Sequence, residues 1–295
     1  MTPLLSPKEL IRSAAAALEE SEVPRPRWTA EQLLARRLGC LPVELYLKEF
    51  DLPSGEELRF RAEVSARAQG MPLQYLMGIA DFYGREFRVG PGVFIPRPET
   101  EILVEAMLAF LPVHPELSRR RNGALKGTAP FVVDVGTGSG AIAVTLALER
   151  PDLRVAAIER SEPALAFARE NIRRHAAPVR MLQGELVEPL ADQSVDWLAA
   201  NPPYLDPAAA GDWPREIGWE PWMALDGKEG GLSFIGALIG QAGRVLKPQG
   251  RLILEIGMGQ AGPVRRLAAG QGMRVEEVVP DLAGIERILI LRRRA

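Results

Sequence analysis

The sequence predicts an α/β protein in which a small helical domain precedes a doubly wound, mostly parallel sheet of seven strands that ends in an antiparallel hairpin. Three observations predict this fold. From residue 131 onward, short apolar segments alternate with amphipathic helical segments, as in sheets that helices cover on both faces. The last two apolar segments are joined by residues 280–284, too few for a crossover helix. The first 80 residues carry well-marked helix starts.

The segment 1–80 is predicted to form a small helical bundle. Ser6 is followed by Pro7 and Glu9, the pattern of a capping box with proline at the first helical position. Signals of the same kind mark the start and end of a second helix and the start of a third: Thr29, Gly39 and Ser54. A domain boundary is therefore expected near residue 80.

Residues 81–101 are predicted to be a hairpin linker between the helical domain and a domain of residues 102–295. Residues 82–89 alternate as in a strand, and residues 93–95 resume the extended pattern. The intervening Gly90-Pro91-Gly92 is typical of a turn. The hairpin is thus expected to turn at these three residues.

The elements of the second domain follow from short apolar runs and helical periodicity. Strands are predicted at residues 131–135, 155–158, 179–182, 195–199, 252–256, 274–279 and 287–291. Helices are predicted from about residue 97 to before 112, and at about 140–149, 162–175 and 231–246. The carboxyl ends of parallel strands form the edge at which α/β proteins bind ligands.

Composition restricts the classes of function. A single cysteine, Cys40, excludes an internal disulfide, and with two histidines no metal site is predicted. With 38 acidic and 36 basic residues, the net charge of −2 gives no global positive field for nucleic acid, and the arginines at 119–121 are expected to be solvated. No apolar run approaches the roughly 20 residues needed to span a bilayer. We expect a soluble cytoplasmic protein with no membrane association and no direct nucleic-acid contact.

A glycine-rich loop follows the first strand of the sheet and opens a helix. Its residues are Gly136, Thr137, Gly138, Ser139 and Gly140. Glycines at these places allow a tight turn and a close approach of the backbone to a ligand. The motif by itself is weak, because it also satisfies a loose dinucleotide fingerprint, and a tight turn without a ligand is the alternative.

Other side chains at the same edge are candidates for a cofactor site. Glu159 ends the second strand, where a carboxylate can accept both hydroxyl protons of a ribose, which NAD and S-adenosylmethionine both carry. Asp134 either supports the glycine loop or reaches the amino group of the cofactor. After the third strand, Glu185 is placed to meet an adenine edge, and Leu186 to pack on the base.

The segment Asn201-Pro202-Pro203-Tyr204 follows the fourth strand and favours S-adenosylmethionine over NAD. The prolines fix φ and remove two backbone donors, which leaves the Pro202 carbonyl as an acceptor beside the Asn201 side-chain oxygen. Two acceptors can hold the two protons of an NH2 group, and Tyr204 offers a flat face to a planar group. The segment therefore predicts methylation of an amide or ring amino nitrogen, with no general base assigned; a proline-stiffened turn is the alternative.

A tryptophan-rich connection, residues 213–222, follows. It is expected to be either a lid over the substrate or a segment that packs its tryptophans on the helical domain.

Five stretches resemble a known family. The chain is similar to the HemK-like release factor glutamine methyltransferases, the PrmC family, over nearly its whole length. The matching stretches are residues 82–87, 91–101, 134–141, 201–204 and 254–257. The second of these, with Pro96-Arg97-Pro98-Glu99-Thr100-Glu101, is more specific than the Asn-Pro-Pro-Tyr box, which DNA amino methyltransferases also carry.

The resemblance implies fold, chemistry and partner. It implies a class I, Rossmann-like methyltransferase fold that uses S-adenosyl-L-methionine and releases S-adenosyl-L-homocysteine. The substrate would be the glutamine of the Gly-Gly-Gln motif in bacterial peptide chain release factors 1 and 2, methylated on its side-chain N5, with residues 1–80 as the recognition domain.

Site roles also follow from the resemblance. Residues 136–140, Glu159 and Asn201 would contact the cofactor, and residues 201–204 would hold the glutamine. The family commonly has aspartate in place of Glu159, which preserves the ribose chemistry. It often has an aromatic residue in place of Leu186, which leaves the stacking role of Leu186 open.

Four alternatives remain open on the sequence. One is the same chemistry on a glutamine of a ribosomal protein, and another is an adenine-N6 methyltransferase acting on nucleic acid. The latter would normally need a basic target-recognition region, which this acidic chain shows nowhere beyond residues 119–121. An NAD dehydrogenase and a cofactor-binding adaptor without catalysis are the other two.

Overall fold

A computed structural model describes residues 6–48, 50, 55–111, 129–209 and 213–294. The chain divides into two compact units. The first comprises residues 1–79 together with 212–219, and the second comprises residues 80–211 and 220–295. The arginines at 119–121 lie outside the described residues.

The first unit is helical. Its helices are α1 (Pro7–Glu20), α2 (Pro26–Leu38), α3 (Glu44–Leu47), α4 (Glu56–Ala68) and α5 (Leu73–Met77). The predicted capping box at α1 is confirmed: the Ser6 hydroxyl accepts from the Glu9 N–H at 3.4 Å, and the Glu9 carboxylate accepts from the Ser6 N–H at 2.8 Å. The core of the unit includes Leu10, Leu18, Leu33, Leu34 and Phe60.

The start of α2 differs from the prediction. The helix begins at Pro26, and Thr29 is buried inside it instead of capping it. Proline costs nothing at the first helical position, where its missing N–H would have no partner, and its fixed φ suits a helix. The predicted stop is confirmed, since Gly39 ends α2 with φ of 63°. Ser54 lies outside the described residues, and Gly55 precedes α4.

A segment distant in sequence completes the first unit. Residues Arg215–Trp219 form a 3-10 turn, and Glu216 pairs with the buried Arg67 of α4 at 2.7 Å. A Cβ added at Gly70 would lie only 3.0 Å from Cβ of Arg215, so the segment lies directly on this glycine. For residues 213–219 the structure therefore supports packing on the helices.

A two-stranded hairpin consists of β1 (Ile79–Phe82) and β2 (Arg85–Arg88), and all of its residues except Ile79 belong to the second unit. Its turn is not where the sequence predicts it. The turn lies at Tyr83 and Gly84, both with positive φ, 51° and 69°. Two-residue hairpin loops favour such values because they match the twist of the strands. A turn also exists at the expected glycines, where the Val93 N–H donates to the Gly90 carbonyl at 3.2 Å, but it joins no strands.

The seven predicted sheet strands are confirmed. They are β3 (Phe131–Val135), β4 (Arg154–Glu159), β5 (Val179–Gln183), β6 (Val195–Ala200), β7 (Leu246–Glu255), β8 (Met273–Pro280) and β9 (Glu286–Arg293). The order is β5-β4-β3-β6-β7-β9-β8; β3 to β7 are parallel, and β9 is antiparallel to both neighbours. The connecting helices are α6 (Pro98–Phe110), α7 (Ala141–Glu149), α8 (Glu162–Arg174), α9 (Ser233–Val245) and α10 (Ala261–Gly270), of which α10 was not predicted.

Two apolar layers cover the sheet. Successive residues of a strand point to opposite faces. Val133 of β3 accordingly belongs to the layer that contains Ile235 of α9 and Val264 of α10. Its neighbour Val132 belongs to the layer of α6 and α7. Burial on both faces fixes the register of the parallel strands and so the positions of their ends. No helix in the described ranges is long and apolar enough to cross a bilayer.

Candidate active site

Most of the predicted site residues lie at the carboxyl ends of β3, β4 and β6. The central strand β3 has β4 on one side and β6 on the other, so the chain leaves it at the point where α/β sheets form a crevice. Asp134 of β3 pairs in register with Ala199 of β6. Because Gly136 and Asn201 each lie two residues further on, they leave the sheet at the same level.

The glycine loop is shaped for two different purposes. Gly136, Gly138 and Gly140 have φ of 71°, 57° and 85°, values that side chains disfavour. A Cβ added at Gly136 or Gly138 would meet no atom of the described residues within 4 Å, so both glycines border open space in this part of the chain. A Cβ at Gly140 would lie 3.5 Å from the Ala168 backbone of α8. The first two leave room for a ligand, and the third allows the loop to pack on a helix.

Asp134 supports the glycine loop from below. Its Oδ2 accepts hydrogen bonds from the Thr137 hydroxyl and from the Ala143 N–H, the latter at 3.2 Å. Complete burial raises the pKa of this carboxyl to about 7. The second oxygen, Oδ1, is buried and has no partner within the described part of the chain. It remains an acceptor for a donor group of a ligand.

Asn171 of α8 holds the loop from the side. This fully buried amide donates to the Ser139 carbonyl at 2.8 Å and to the Arg88 carbonyl at 3.0 Å. It also accepts from the Arg88 N–H at 2.7 Å. Sequence reasoning missed Asn171, because its partners are 32 and 83 residues away and leave no local pattern.

Glu159 is buried at the end of β4 and accepts three backbone hydrogen bonds. The donors are the N–H groups of Gly138 at 2.9 Å, Arg160 at 2.9 Å and Ser161 at 2.8 Å. A carboxylate has about four lone-pair sites. Three are therefore occupied by the chain itself, and Glu159 links the glycine loop to the start of α8.

The predicted adenine contacts are less defined. Glu185 pairs with Arg160 at 2.6 Å, and the same guanidinium lies 2.8 Å from the sulfur of Met223. Leu186 has a left-handed φ of 48° and is half-buried against the apolar layer of α9 and α10. The structure thus places Glu185 and Leu186 beside β5, and it does not by itself assign a contact with adenine to either residue.

A chain of hydrogen bonds joins the two ends of the segment Asn201 to Tyr204. Nδ2 of Asn201 donates to the Thr100 hydroxyl at 3.0 Å, and this hydroxyl donates to Oε2 of Glu255 at 2.7 Å. The Tyr204 hydroxyl donates to Oε1 of Glu255 at 3.2 Å. Burial raises the pKa of Glu255 to about 7, and burial together with the Glu255 charge raises the pKa of Tyr204.

The backbone of the same segment is held by a second set of contacts. Gln260 donates to the Tyr204 carbonyl at 2.9 Å, and its own carbonyl accepts from the Gly257 N–H at 2.8 Å. Gly231 lies against the same Tyr204 carbonyl so closely that any Cβ there would overlap it. These backbone contacts come from residues up to 56 positions away.

The segment with Arg97 is fixed by a buried carboxylate. Glu220 accepts from the Ile95 N–H at 3.0 Å and pairs with the Arg97 guanidinium, which also lies 4.9 Å from the ring centre of Phe94. Arg97 directly precedes the first residue of α6, Pro98, and lies three residues before Thr100. It sets the start of α6 and so the position of the Thr100 hydroxyl.

Thr100, Glu220 and Glu255 were not singled out from chemistry in the sequence, although Thr100 and Glu255 lie in stretches that resemble the family. One signal could have found Glu255. Leu252-Ile253-Leu254-Glu255 is an apolar strand that ends in a carboxylate, the same pattern that identified Glu159.

Comparisons with known proteins show which family the chain resembles. The family described as Methyltransferase small domain matches residues 123–212, and the PrmC N-terminal domain matches residues 9–78. A release factor glutamine methyltransferase of Koribacter versatilis is 37% identical over 289 residues, which cover 97% of this chain and 98% of that protein. One of Moorella thermoacetica is 38% identical over 291 residues, which cover 97% and 98%.

A solved structure adds evidence on the fold. A methyltransferase from Pyrococcus furiosus aligns with a TM-score of 0.51 at 18% identity and covers 72% of this chain and 91% of its own. At this identity the likeness concerns the fold alone, which is that of the class I, S-adenosylmethionine-dependent methyltransferases. Identity above 35% over nearly the full length decides the family. The chain belongs to the release factor glutamine methyltransferases.

Proposed function

We propose that this chain methylates the side-chain N5 of the glutamine in the Gly-Gly-Gln motif of bacterial release factors 1 and 2. The observation that carries the proposal is the Asn201 carboxamide, held by a buried network at the same level of the sheet as a glycine loop that borders open space. The Asn201 carboxamide binds a planar amide, and the glycine loop leaves room for the methyl donor.

The residues at the loop fit S-adenosyl-L-methionine. Gly136 and Gly138 leave space for a ligand, and Asp134 keeps a buried oxygen that has no partner among the described residues. Glu159 keeps one lone-pair site for a ribose hydroxyl beside the three that backbone N–H groups occupy. We assign the cofactor to residues 136–140, Glu159, Leu186 and Asn201. When bound, S-adenosyl-L-methionine supplies an activated methyl group and leaves as S-adenosyl-L-homocysteine.

The substrate amide is to be held by residues 201–204. Oδ1 of Asn201 and the carbonyl of Pro202 accept its two protons, while Pro203 stiffens the turn and Tyr204 offers the face of its ring. Drawing both protons toward acceptors outside the amide plane returns lone-pair density to the nitrogen. No side chain is assigned as a base, and the proton passes to solvent after the N–C bond forms. Fixed geometry of this kind can supply ~7–11 kcal/mol.

Residues 1–80 are proposed to recognise the release factor, and the reaction is proposed to take place in the cytoplasm. The PrmC N-terminal domain match over residues 9–78 supports the first of these proposals.

The test is a parallel methylation assay with radiolabelled S-adenosyl-L-methionine. Full-length release factors 1 and 2, ribosomal proteins and DNA are offered separately, together with release factors whose motif glutamine is replaced by alanine. Label is expected on the unmodified release factors only. Label confined to DNA or to a ribosomal protein would contradict the proposal.

Asn201→Ala tests the site itself. Loss of the amide oxygen removes one of two acceptors, and turnover is expected to fall by at least ~10²-fold, in the range found for loss of one preorganised polar group. Cofactor affinity, measured by calorimetry, is expected to change much less. Turnover at the wild-type rate in this variant would refute the assigned role.

A further inference from the structure

While Glu255 is ionised, the hydrogen bonds around Thr100 have only one possible direction. A hydroxyl has one proton to donate. An ionised Glu255 carboxylate has none, so Thr100 must donate to Oε2 across their 2.7 Å contact. Toward Asn201, 3.0 Å away, Thr100 can then only accept, and the atom that faces it must be the donor Nδ2.

The orientation of the Asn201 carboxamide follows from this direction. With Nδ2 on Thr100, the other branch of the amide is Oδ1, which accepts no hydrogen bond from any residue in the described ranges. The reverse orientation would present an NH2 group, which cannot accept a proton from the substrate amide. A flipped Asn201 would therefore repel the group that it has to hold.

We propose that Thr100 and Glu255 are positioning residues that fix the Asn201 carboxamide with its oxygen presented to the substrate nitrogen. The inference rests on the proposed function, since it concerns how the site holds an amide. Neither residue is assigned a substrate contact: Thr100 acts through Asn201, and Glu255 acts through Thr100 and through the Tyr204 hydroxyl.

Because of the same hydrogen bonds, the orientation of the Asn201 carboxamide depends on whether Glu255 is protonated. If Oε2 of Glu255 carries a proton, it can donate to Thr100, whose own proton is then free to be donated to an Asn201 oxygen. The preference for the productive orientation is then lost. The groups that face Glu255 are Thr100 and Tyr204 by hydrogen bonds and Glu99 and Arg287 by charge; Glu99 raises the pKa of Glu255 and Arg287 lowers it.

This relay predicts the sign of a pH effect. Because burial raises the pKa of Glu255 to about 7, kcat at saturating substrates should fall as the pH falls through this value. Asp134 titrates in the same range, but it supports the glycine loop. Its titration should change cofactor affinity, which does not enter kcat at saturation.

Three variants separate positioning from a merely structural role. Thr100→Val keeps the shape and removes the hydroxyl, Thr100→Ser keeps the hydroxyl, and Glu255→Gln removes the titration. In Thr100→Val and Glu255→Gln, kcat is expected to fall ~10–100-fold, as for a displaced catalytic group, while the cofactor dissociation constant changes less than about threefold. Thr100→Ser should restore most of the activity.

The pH profile is the decisive measurement. In the wild type and in Thr100→Ser, kcat should fall as the pH drops below about 7. In Thr100→Val and Glu255→Gln, kcat should be lower throughout and should not change further below this pH. Wild-type kcat in Thr100→Val, or an unchanged acid limb in both impaired variants, would overturn the inference. A wild-type chain that methylates no release factor would instead contradict the proposed function, so the two failures are distinguishable.

Discussion

Replacing Gly231 by alanine should impair catalysis by pushing on the segment that begins at Asn201. A Cβ at Gly231 would lie far inside the 3.0 Å that real Cβ contacts keep, and the atom it meets is the Tyr204 carbonyl oxygen. That oxygen is backbone, and Gln260 already holds it at 2.9 Å. The clash cannot be relieved by rotating a side chain.

The size of the effect follows from two contributions. Alanine at φ of 72° costs about 1–2 kcal/mol, and overpacking adds about 1–3 kcal/mol unless the backbone yields. Relief requires a shift of about 1 Å, and a misplacement of this size can reduce turnover ~10²-fold. We expect kcat to fall by this factor and the free energy of unfolding by about 2–5 kcal/mol.

The adjacent residue offers a matched control. Gly230 also has a left-handed φ, 61°, but a Cβ there would meet no atom within 4 Å in the part of the chain that the structure describes. Gly230→Ala thus carries the same conformational cost without the clash. Release factor methylation and thermal unfolding are measured for both variants. If Gly231→Ala turns over as fast as Gly230→Ala, the Tyr204 contact does not position the site.

Two further predictions concern buried carboxylates. Glu159→Gln replaces an acceptor of three backbone N–H groups by an amide with one oxygen. Cofactor affinity, measured by calorimetry, should therefore fall at least ~10-fold, while kcat at saturation is largely kept. Unchanged affinity would contradict the ribose assignment. Glu220→Gln leaves Arg97 without its charged partner and should lower the free energy of unfolding by about 1–3 kcal/mol, measured by thermal denaturation. An unchanged melting temperature would show that the pair does not hold the start of α6.

The fold could be predicted from the sequence because its signals are local. Apolar runs bounded by turns identified all seven strands of the sheet, and Gly39 marked the end of a helix correctly. The errors arose where two local signals competed. Pro26 prevailed over Thr29 as a helix start, and the Tyr83-Gly84 pair prevailed over the later glycines as the hairpin turn.

The site was predictable only in part. Residues that follow a strand directly, such as Glu159 and Asn201, were found because strand ends converge at one edge of a parallel sheet. The residues that hold Asn201 were not found, because they are distant in sequence. Thr100 and Asn201 are 101 residues apart, and Thr100 and Glu255 are 155 residues apart. No periodicity links such pairs, and only the packing of α6 near the strand ends brings them together.

The placement of residues 212–219 in the helical unit limits how this protein can be dissected. The chain leaves the Asn201 segment, contributes a turn to the first unit and returns at Glu220. A truncated chain that begins at residue 80 would retain Glu216 without Arg67 and Arg215 without the surface around Gly70. The chain therefore passes between the two units three times, and a cut at residue 80 leaves a segment of the helical unit attached to the second unit.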